Sequence, residues 1–123
     1  MFELKIITDF AAAHQLKMVA EKCENLHGHN WKIEVCVAGE TLNDAGVLID
    51  FRELKRHVAE VINRLDHKYL NELEYFHDAY QPSSENIAMY IAKELQTAIN
   101  GPSVRVVSVA AWESEDACAT YCC

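Results

Sequence analysis

Apolar and polar residues alternate in two segments near the start of the chain, a pattern typical of β-strands with one buried face. In the first segment, the even-numbered residues from Phe2 to His14 form a mostly apolar row. In the second segment, the odd-numbered residues from Trp31 to Val37 are all apolar, and their neighbours are mostly polar. We therefore predict two strands, each with one face against a core.

A helix is predicted after the second strand. Asp50 is a suitable N-cap, and Glu53 stands where a capping box has an acid. Apolar residues then recur at helical spacing from Phe51 to Leu65. We expect this helix to end near Asp66–His67.

The second half of the chain predicts another helix and two more strands. A serine cap and an early acid in 82–85 begin the helix, and an apolar stripe runs from Ile87 to Ile99. Asn100, Gly101 and Pro102 should stop it. A third strand is predicted at 104–112 and a short fourth strand at 117–123.

The order of these elements predicts the fold class. Two strands, two helices and two strands indicate an α+β domain: a four-stranded antiparallel sheet with both helices on one face. Residues 68–82 are expected to be irregular, and the whole chain, 1–123, to be one domain. One face of the sheet stays partly open, and oligomerisation would bury it.

Composition narrows the class of protein. The chain has 123 residues, 50% of them hydrophobic and 24% charged, with a formal net charge of −8. The negative charge argues against a nucleic-acid-binding surface. No apolar run approaches the roughly 18 residues of a membrane helix, and the start does not look like a signal peptide. We therefore expect a cytoplasmic protein with no nucleic-acid or membrane partner.

The cysteines fit that location. An odd number of them, without a signal peptide, argues against a disulfide framework, and reduced thiols are expected. The five are Cys23, Cys36, Cys118, Cys122 and Cys123.

Three histidines form a candidate metal site. His27 and His29 lie two residues apart, so their side chains fall on the same face of a strand, and Gly28 between them permits close approach of backbone. Spacing alone leaves open whether they bind a metal or extend the buried face. His14 ends the apolar row of the first strand, and an antiparallel partner would bring it beside the pair. Three imidazoles with an open position are a known catalytic zinc arrangement.

Other candidate groups surround this site in the sequence. Cys23 lies four residues before His27 and is a possible nucleophile or base. Asp66–His67 is a carboxylate–imidazole pair that could carry a proton, or merely a solvated helix end. Glu113 continues the parity of residues 105, 107, 109 and 111, so it extends a mostly apolar face and requires a partner. That partner could be a heterocycle with paired N–H donors or an arginine.

At these residues the chain resembles the 6-pyruvoyl-tetrahydropterin synthase family. The resemblance is closest to its bacterial branch, the 6-carboxy-5,6,7,8-tetrahydropterin synthases of queuosine biosynthesis, and covers almost the whole chain. It rests on motifs in a fixed order: Phe10–His14, Cys23-x-x-x-His27-Gly28-His29, Val47–Lys55, Leu65–Asn71, Pro82–Asn86 and Glu113. The resemblance implies the tunnelling fold, in which subunits join their sheets into a barrel. The usual assembly is a hexamer of two trimers, with active sites between subunits.

The resemblance also implies roles for the candidate residues. His14, His27 and His29 would hold zinc, and Cys23 would be the catalytic thiol, working with Asp66–His67.

The substrate would contact a second group of residues. Glu113 would anchor the pterin ring, and Ser84 and Glu85 would line its pocket. Lys22 is a candidate contact for the phosphates, although a solvated surface lysine is the more common case.

The implied reaction starts from 7,8-dihydroneopterin triphosphate. Its product would be 6-carboxy-5,6,7,8-tetrahydropterin, with release of triphosphate and acetaldehyde, and zinc would act as a Lewis acid. Glu24 opens an alternative, because a related branch of the folate pathway carries Glu-x-x-His-Gly-His and forms 6-hydroxymethyl-7,8-dihydropterin. That activity could replace the first or accompany it. A 6-pyruvoyl-tetrahydropterin synthase, and an oligomer that binds metal and pterin without catalysis, are further alternatives.

Overall fold

The structure is a computed structural model that describes residues 1–17, 25–77 and 79–123. Five strands form one sheet in the order β3-β1-β2-β4-β5. All neighbours are antiparallel except β1 and β3, which are parallel. The elements, in chain order, are β1 Phe2–His14, β2 His27–Gly39, α1 Phe51–Ile62, β3 Lys68–Tyr69, a 3₁₀ turn Leu70–Glu72, α2 Ser84–Ile99, β4 Arg105–Ser114 and β5 Ala117–Cys122.

The α+β class is confirmed, and the sheet has one strand more than predicted. The extra strand, β3, is two residues long and lies in the region that was expected to be irregular. A strand this short has too few residues for a period-2 pattern to be recognised. It pairs with the last part of β1, and this pairing brings the chain after α1 close to His14.

The core lies between one face of the sheet and both helices. The even-numbered residues of β1 and the odd-numbered residues of β2 point into it, and Trp31, Ile33, Val35 and Val37 are fully buried there. The apolar stripe of α2 is buried on the same side. The alternation in the sequence therefore identified the buried face of the first two strands correctly.

Each helix begins with a side-chain cap. Asp50 accepts a hydrogen bond from the Arg52 N–H at 2.7 Å, and Ser83 Oγ accepts one from the Asn86 N–H at 3.2 Å. Helix α1 ends at Ile62, earlier than predicted, and the chain continues as tight turns to His67. These turns redirect Asp66–His67 towards β1, where both residues bind Ala11.

A β-bulge changes which residues of β4 point towards the core. Its register shifts opposite Cys36 and Val37, so that Val106 pairs with Val37 and is buried. Arg105 and Val107 therefore do not share the face of Glu113, contrary to the parity prediction. Val109 and Ala111 do share the buried face that leads to Glu113, as predicted.

Among the described residues, neither helix combines the length and apolar character that a membrane-crossing helix needs.

Candidate active site

Three histidines meet at the end of the sheet where β1 stops and β2 starts. The antiparallel register pairs His14 with His27 and Ala12 with His29. Because all three histidines have the parity of the buried face, their rings gather on the core side of the sheet. The ring centroids lie 4.5 to 5.2 Å apart.

A carboxylate completes the cluster. Glu113, near the end of β4, places Oε1 2.9 Å from Nε2 of His29, 3.4 Å from Nε2 of His14 and 3.8 Å from Nε2 of His27. The four ligand atoms all lie within 4.8 Å of one another. The sequence predicted that Glu113 needs a partner, either a heterocycle or an arginine, and did not predict its place beside the histidines. The register shift between Trp112 and Ser114, which sets its position, leaves no mark in the residue pattern.

Backbone carbonyls orient two of the imidazoles. Nδ1 of His14 lies 2.7 Å from the buried carbonyl of Pro82, and Nδ1 of His27 lies 2.7 Å from the carbonyl of Asn25. A carbonyl oxygen only accepts, so each Nδ1 carries the proton and donates it. In the neutral rings both Nε2 atoms then present lone pairs, although they are only 3.1 Å apart. Two facing lone pairs at that distance need a cation or a proton between them.

The surroundings of His29 favour its neutral form, which is the form that binds metals. Burial lowers the pKa of its imidazole, and the carboxylate of Glu113 offsets this only in part. Its Nε2 is buried and makes no aligned hydrogen bond to any described residue, despite the short distance to Glu113. A buried ring nitrogen without a hydrogen bond is costly, and coordination of a metal would remove that cost.

Trp31 forms the floor beneath the cluster. Its ring is fully buried and meets the rings of His14 and His29 edge-on, at centroid distances of 5.1 and 5.3 Å. On its other side, Trp31 stacks on Phe10. The sequence identified Trp31 as a core residue, and its contact with the histidines follows from its place two residues after His29.

These observations together describe a site that could bind a metal ion. Three imidazole nitrogens and one carboxylate oxygen converge, and carbonyl groups fix the tautomer of two of the ligands, as is usual around metal-bound histidines. A donor set of nitrogen and oxygen is one that suits zinc and other first-row divalent ions.

Asp66 and His67 lie beside this cluster, on the edge of the sheet. Asp66 Oδ1 accepts the Ala11 N–H at 3.0 Å and lies 3.0 Å from Nδ1 of His67. The hydrogen bond from Ala11, and then the imidazole of His67, lower the pKa of Asp66, which therefore stays ionised. The imidazole of His67 is exposed, with 81% of its side chain accessible.

His67 has an uncommon backbone conformation that aims its side chain outward. Its φ is +58°, in the left-handed region that non-glycine residues seldom adopt. His67 lines an open groove of about 520 Å³, and His29 is the member of the histidine cluster that also lines it. Gly28 also lines this groove, and a Cβ at Gly28 would come no nearer than 3.8 Å to the Ala12 carbonyl oxygen. The fold alone does not require a glycine there, although a side chain would protrude into the groove.

The remaining predicted site residues fall into two groups. Ser84 and Glu85 begin α2, and only the N-cap Ser83 separates them from Pro82, whose carbonyl orients His14. Lys22, Cys23 and Glu24 lie outside the described residues, so their roles remain predictions from the sequence.

Comparisons with known proteins give the family. The family model described as 6-pyruvoyl tetrahydropterin synthase matches residues 3–122. An Archaeoglobus fulgidus protein, provisionally named a 6-carboxy-5,6,7,8-tetrahydropterin synthase, is 43% identical over 111 residues, which are 90% of this chain and 87% of that protein. The dihydroneopterin monophosphate aldolase of Pyrococcus furiosus is 36% identical over 107 residues, which are 87% of this chain and 85% of the aldolase.

A solved structure agrees with the fold. The 6-pyruvoyl tetrahydropterin synthase of Caenorhabditis elegans superposes with a TM-score of 0.86 and 26% identity, covering 99% of this chain and 95% of that one. The chain belongs to the 6-pyruvoyl tetrahydropterin synthase family. The resemblance noted from the sequence is thereby confirmed, as is the prediction of an enzyme similar to the 6-carboxytetrahydropterin synthases.

Proposed function

We propose that this enzyme converts 7,8-dihydroneopterin triphosphate to 6-carboxy-5,6,7,8-tetrahydropterin, with loss of triphosphate and acetaldehyde, as a step of queuosine biosynthesis. The observation that carries the proposal is the convergence of three imidazoles and a carboxylate beside an open groove. The name of the Archaeoglobus relative supports the choice of product.

We propose that His14, His27 and His29 hold a zinc ion through their Nε2 atoms. Glu113 Oε1 is close enough to the three Nε2 atoms that it would contribute an oxygen ligand to the same ion. Zinc would supply Lewis acidity to the oxygen atoms of the pterin side chain.

Proton transfer falls to residues of the chain itself. The carboxylate of Asp66 faces Nδ1 of His67 and holds the proton on that nitrogen, so Nε2 is free to exchange a proton in the groove. We propose that Cys23, as a thiolate, removes a proton from carbon and that His67 acts as its partner in this relay.

Substrate binding completes the proposal. The second oxygen of Glu113 would accept N–H groups of the pterin ring, so that one carboxylate sets the ring beside the metal cluster. Ser84 and Glu85 would line the same pocket, and Lys22 would contact the phosphates.

Product analysis tests this proposal. Purified protein loaded with zinc is incubated with 7,8-dihydroneopterin triphosphate, and the pterin product is identified by mass. The 6-carboxy product, lost in Cys23→Ala, is expected. A 6-pyruvoyl product would instead make the chain a 6-pyruvoyl-tetrahydropterin synthase. Absence of any product from zinc-loaded protein would leave only a binding function.

A second candidate reaction has its own support. Glu24 completes the Glu-x-x-His-Gly-His pattern, and the Pyrococcus relative is named an aldolase of dihydroneopterin monophosphate. We propose formation of 6-hydroxymethyl-7,8-dihydropterin, for folate biosynthesis, as an alternative or additional activity. This product should disappear in Glu24→Ala. Glu40→Ala, at an exposed acid beyond the end of β2 that lies away from the histidines, should leave it unchanged.

We also propose that the enzyme assembles as a homohexamer of two trimers, with active sites between subunits. Two features support assembly: β5 is an edge strand, and the sheet face opposite the core carries exposed Ile7. Light scattering should give six times the mass of one chain. A monomeric mass would contradict the proposal.

The state of the cysteines supports a proposal about where in the cell the protein is located. Cys36, Cys118, Cys122 and Cys123 are free thiols in the described residues. Unpaired thiols at exposed positions are typical of reducing compartments, so we propose a cytoplasmic location. Localisation of a tagged protein by cell fractionation tests this.

A further inference from the structure

The imidazole of His14 is held by a short turn that precedes α2. Its Nδ1 donates to the carbonyl of Pro82 at 2.7 Å, and both residues are buried. The Ser83 N–H donates to the carbonyl of Gln81 at 2.8 Å, which is the i→i+2 hydrogen bond of a γ-turn centred on Pro82. The group that orients His14 therefore belongs to the central residue of a tight turn.

The direction of the Pro82 carbonyl depends on one torsion angle. The proline ring fixes φ of Pro82, so only ψ remains to turn its carbonyl towards His14 or away from it. The Ser83 N–H lies on the far side of that torsion, and its hydrogen bond to the Gln81 carbonyl holds ψ in place. Any group that fixes the Gln81 carbonyl therefore also fixes the acceptor of the His14 Nδ1 proton.

Asn86 supplies a second hydrogen bond to the Gln81 carbonyl. Its Nδ2 donates at 2.8 Å, from the third residue of α2. A carbonyl oxygen has two lone pairs, so the Ser83 N–H and the Asn86 amide together satisfy it. The backbone N–H of Asn86 is bound separately, to Ser83 Oγ at 3.2 Å. Asn86 therefore fastens the turn at two points, and the side-chain contact is the one that reaches Gln81.

The side chain of Gln81 anchors the same turn to the chain that carries His14. Its Oε1 accepts the Lys17 N–H at 2.5 Å, and its Nε2 donates to the Lys17 carbonyl at 3.2 Å. Lys17 lies three residues after His14, and Pro82, the residue after Gln81, binds the ring of His14. The position of the turn and the position of the imidazole are therefore linked.

We propose that Asn86 is a positioning residue for the metal cluster, and that it acts on His14 through the carbonyl groups of Gln81 and Pro82. The inference rests on the proposed function for the role of His14 as a zinc ligand. A hydrogen bond at Nδ1 sets both the tautomer of a histidine ligand and the orientation of its ring. Loss of the Asn86 amide should let ψ of Pro82 vary, and the ring of His14 would then lose its fixed orientation.

Two substitutions at Asn86 remove the donor in different ways. Asn86→Ala deletes the amide, and Asn86→Asp replaces it with a carboxylate, which only accepts and would face the Gln81 carbonyl. The aspartate brings a negative charge into the first turn of α2, where the helix dipole favours it, so the helix should not be weakened. That charge would also attract a cation. A lower zinc affinity in Asn86→Asp would therefore report the lost donor and not the new charge.

Ser83→Ala is the matched control at the same helix start. It removes the N-cap, because Ser83 Oγ accepts the Asn86 N–H, but it leaves the amide of Asn86 and the carbonyl groups of Gln81 and Pro82 in place. We expect this variant to unfold at a lower urea concentration than wild type. It should keep the wild-type environment of His14.

Two measurements test the inference. The first is hydrogen exchange of the His14 Nδ1 proton in metal-free protein, followed by NMR on isotope-labelled histidine and assigned with His14→Gln. The second is zinc affinity, measured by competition with a chelator. In both Asn86 variants we expect the Nδ1 proton to exchange about fivefold faster or more, as for the loss of one hydrogen bond of average strength. We expect zinc affinity to fall about tenfold, the lower end of effects for groups that support a ligand.

Two results would overturn the inference. One is wild-type exchange and wild-type zinc affinity in both Asn86 variants; the other is an equal change in Ser83→Ala, which would indicate general loosening of the helix start. The exchange measurement requires no metal, so it decides the inference even if wild-type protein binds no zinc. Absence of zinc binding by the wild-type protein would instead contradict the proposed function.

Discussion

At the scale of single residues, the site is organised by backbone carbonyls. The carbonyl groups of Pro82 and Asn25 fix the tautomers of His14 and His27, and burial lowers the pKa of His29. Metal affinity should therefore depend on groups that do not contact the metal, as is general for histidine ligands.

Trp31 gives the first prediction. Trp31→Phe removes part of the floor beneath His14 and His29, so their rings lose a fixed surface. We expect zinc affinity to fall about tenfold, the lower end of effects reported for groups that orient ligands. The measurement is competition with a zinc chelator.

Phe10→Leu is the matched control for this prediction. Phe10 stacks on Trp31 within the same core, with ring centroids 6.2 Å apart, so its truncation should cost a similar stability. It should leave zinc affinity near that of wild type. An equal loss of affinity in both variants would mean that general loosening of the core, and not the floor of the site, is responsible.

Asp66 gives a prediction about pH. The Ala11 N–H, followed by His67, holds the folded-state pKa of Asp66 below its unfolded value. The carboxylate therefore stabilises the fold above its unfolded pKa of about 3.9, and this contribution disappears as pH falls through the lower, folded pKa. Asp66→Asn should be less stable than wild type at neutral pH, and the difference should close as acid is added.

Urea unfolding at a series of pH values checks this sign. The stability of wild type should fall more steeply than that of Asp66→Asn as the pH falls below the unfolded pKa of about 3.9. Parallel curves for the two proteins would show that the carboxylate has the same pKa folded and unfolded. Asp44→Asn, at an exposed loop acid, serves as the control.

Part of the candidate site could be predicted from the sequence, residue by residue. Parity alone grouped His14 with His27 and His29, because strands alternate strictly and the three ligands end two paired strands. The approach of Glu113 to them could not be derived in the same way. Its position depends on two register shifts in β4, and bulges insert a residue without altering composition.

At the scale of elements, the helix N-caps and apolar stripes could be predicted from the sequence because each depends on residues that are close together in the chain. Asp50 and Ser83 cap their helices as predicted, and the apolar stripe of α2 is buried. The end of α1 was placed too late because Leu65 continues the apolar spacing and is buried, although it lies in a turn. Burial of Leu65 satisfies the pattern whether the backbone is helical or not.

Asp50→Ala gives the prediction at this scale. The side chain of Asp50 accepts the Arg52 N–H, and loss of an N-cap costs about 1 kcal/mol of folding free energy. Urea unfolding should show this decrease. Glu53→Ala, which removes an exposed acid of the same helix turn, should cost only a few tenths of a kcal/mol. Equal effects would mean that charge near the helix start, and not the cap, matters.

At the scale of the whole molecule, the metal cluster joins elements that are distant in sequence. Its side chains come from the end of β1, the start of β2 and the end of β4, and the segment just before α2 supplies the carbonyl that orients His14. A metal bound there would cross-link three strands of the sheet. The formal charge of −8 adds long-range attraction for a cation.

This coupling predicts that zinc stabilises the fold. A ligand that binds only the folded state adds about 4 kcal/mol when its concentration is a thousand times its dissociation constant. Thermal unfolding of metal-free protein should therefore shift to higher temperature as zinc is added, and removal of zinc by a chelator should reverse the shift. His29→Ala should lose most of the shift because it removes one of three imidazole ligands.

The control for the last prediction is His57→Ala, which removes an imidazole from α1, outside the cluster. It should keep the full zinc-dependent shift, so that the effect is assigned to the cluster and not to histidines in general. A shift of equal size in His29→Ala would place the stabilising metal elsewhere, for instance on the exposed thiols of β5. Magnesium should have little effect, because a site with three imidazoles favours zinc over a cation that prefers oxygen ligands.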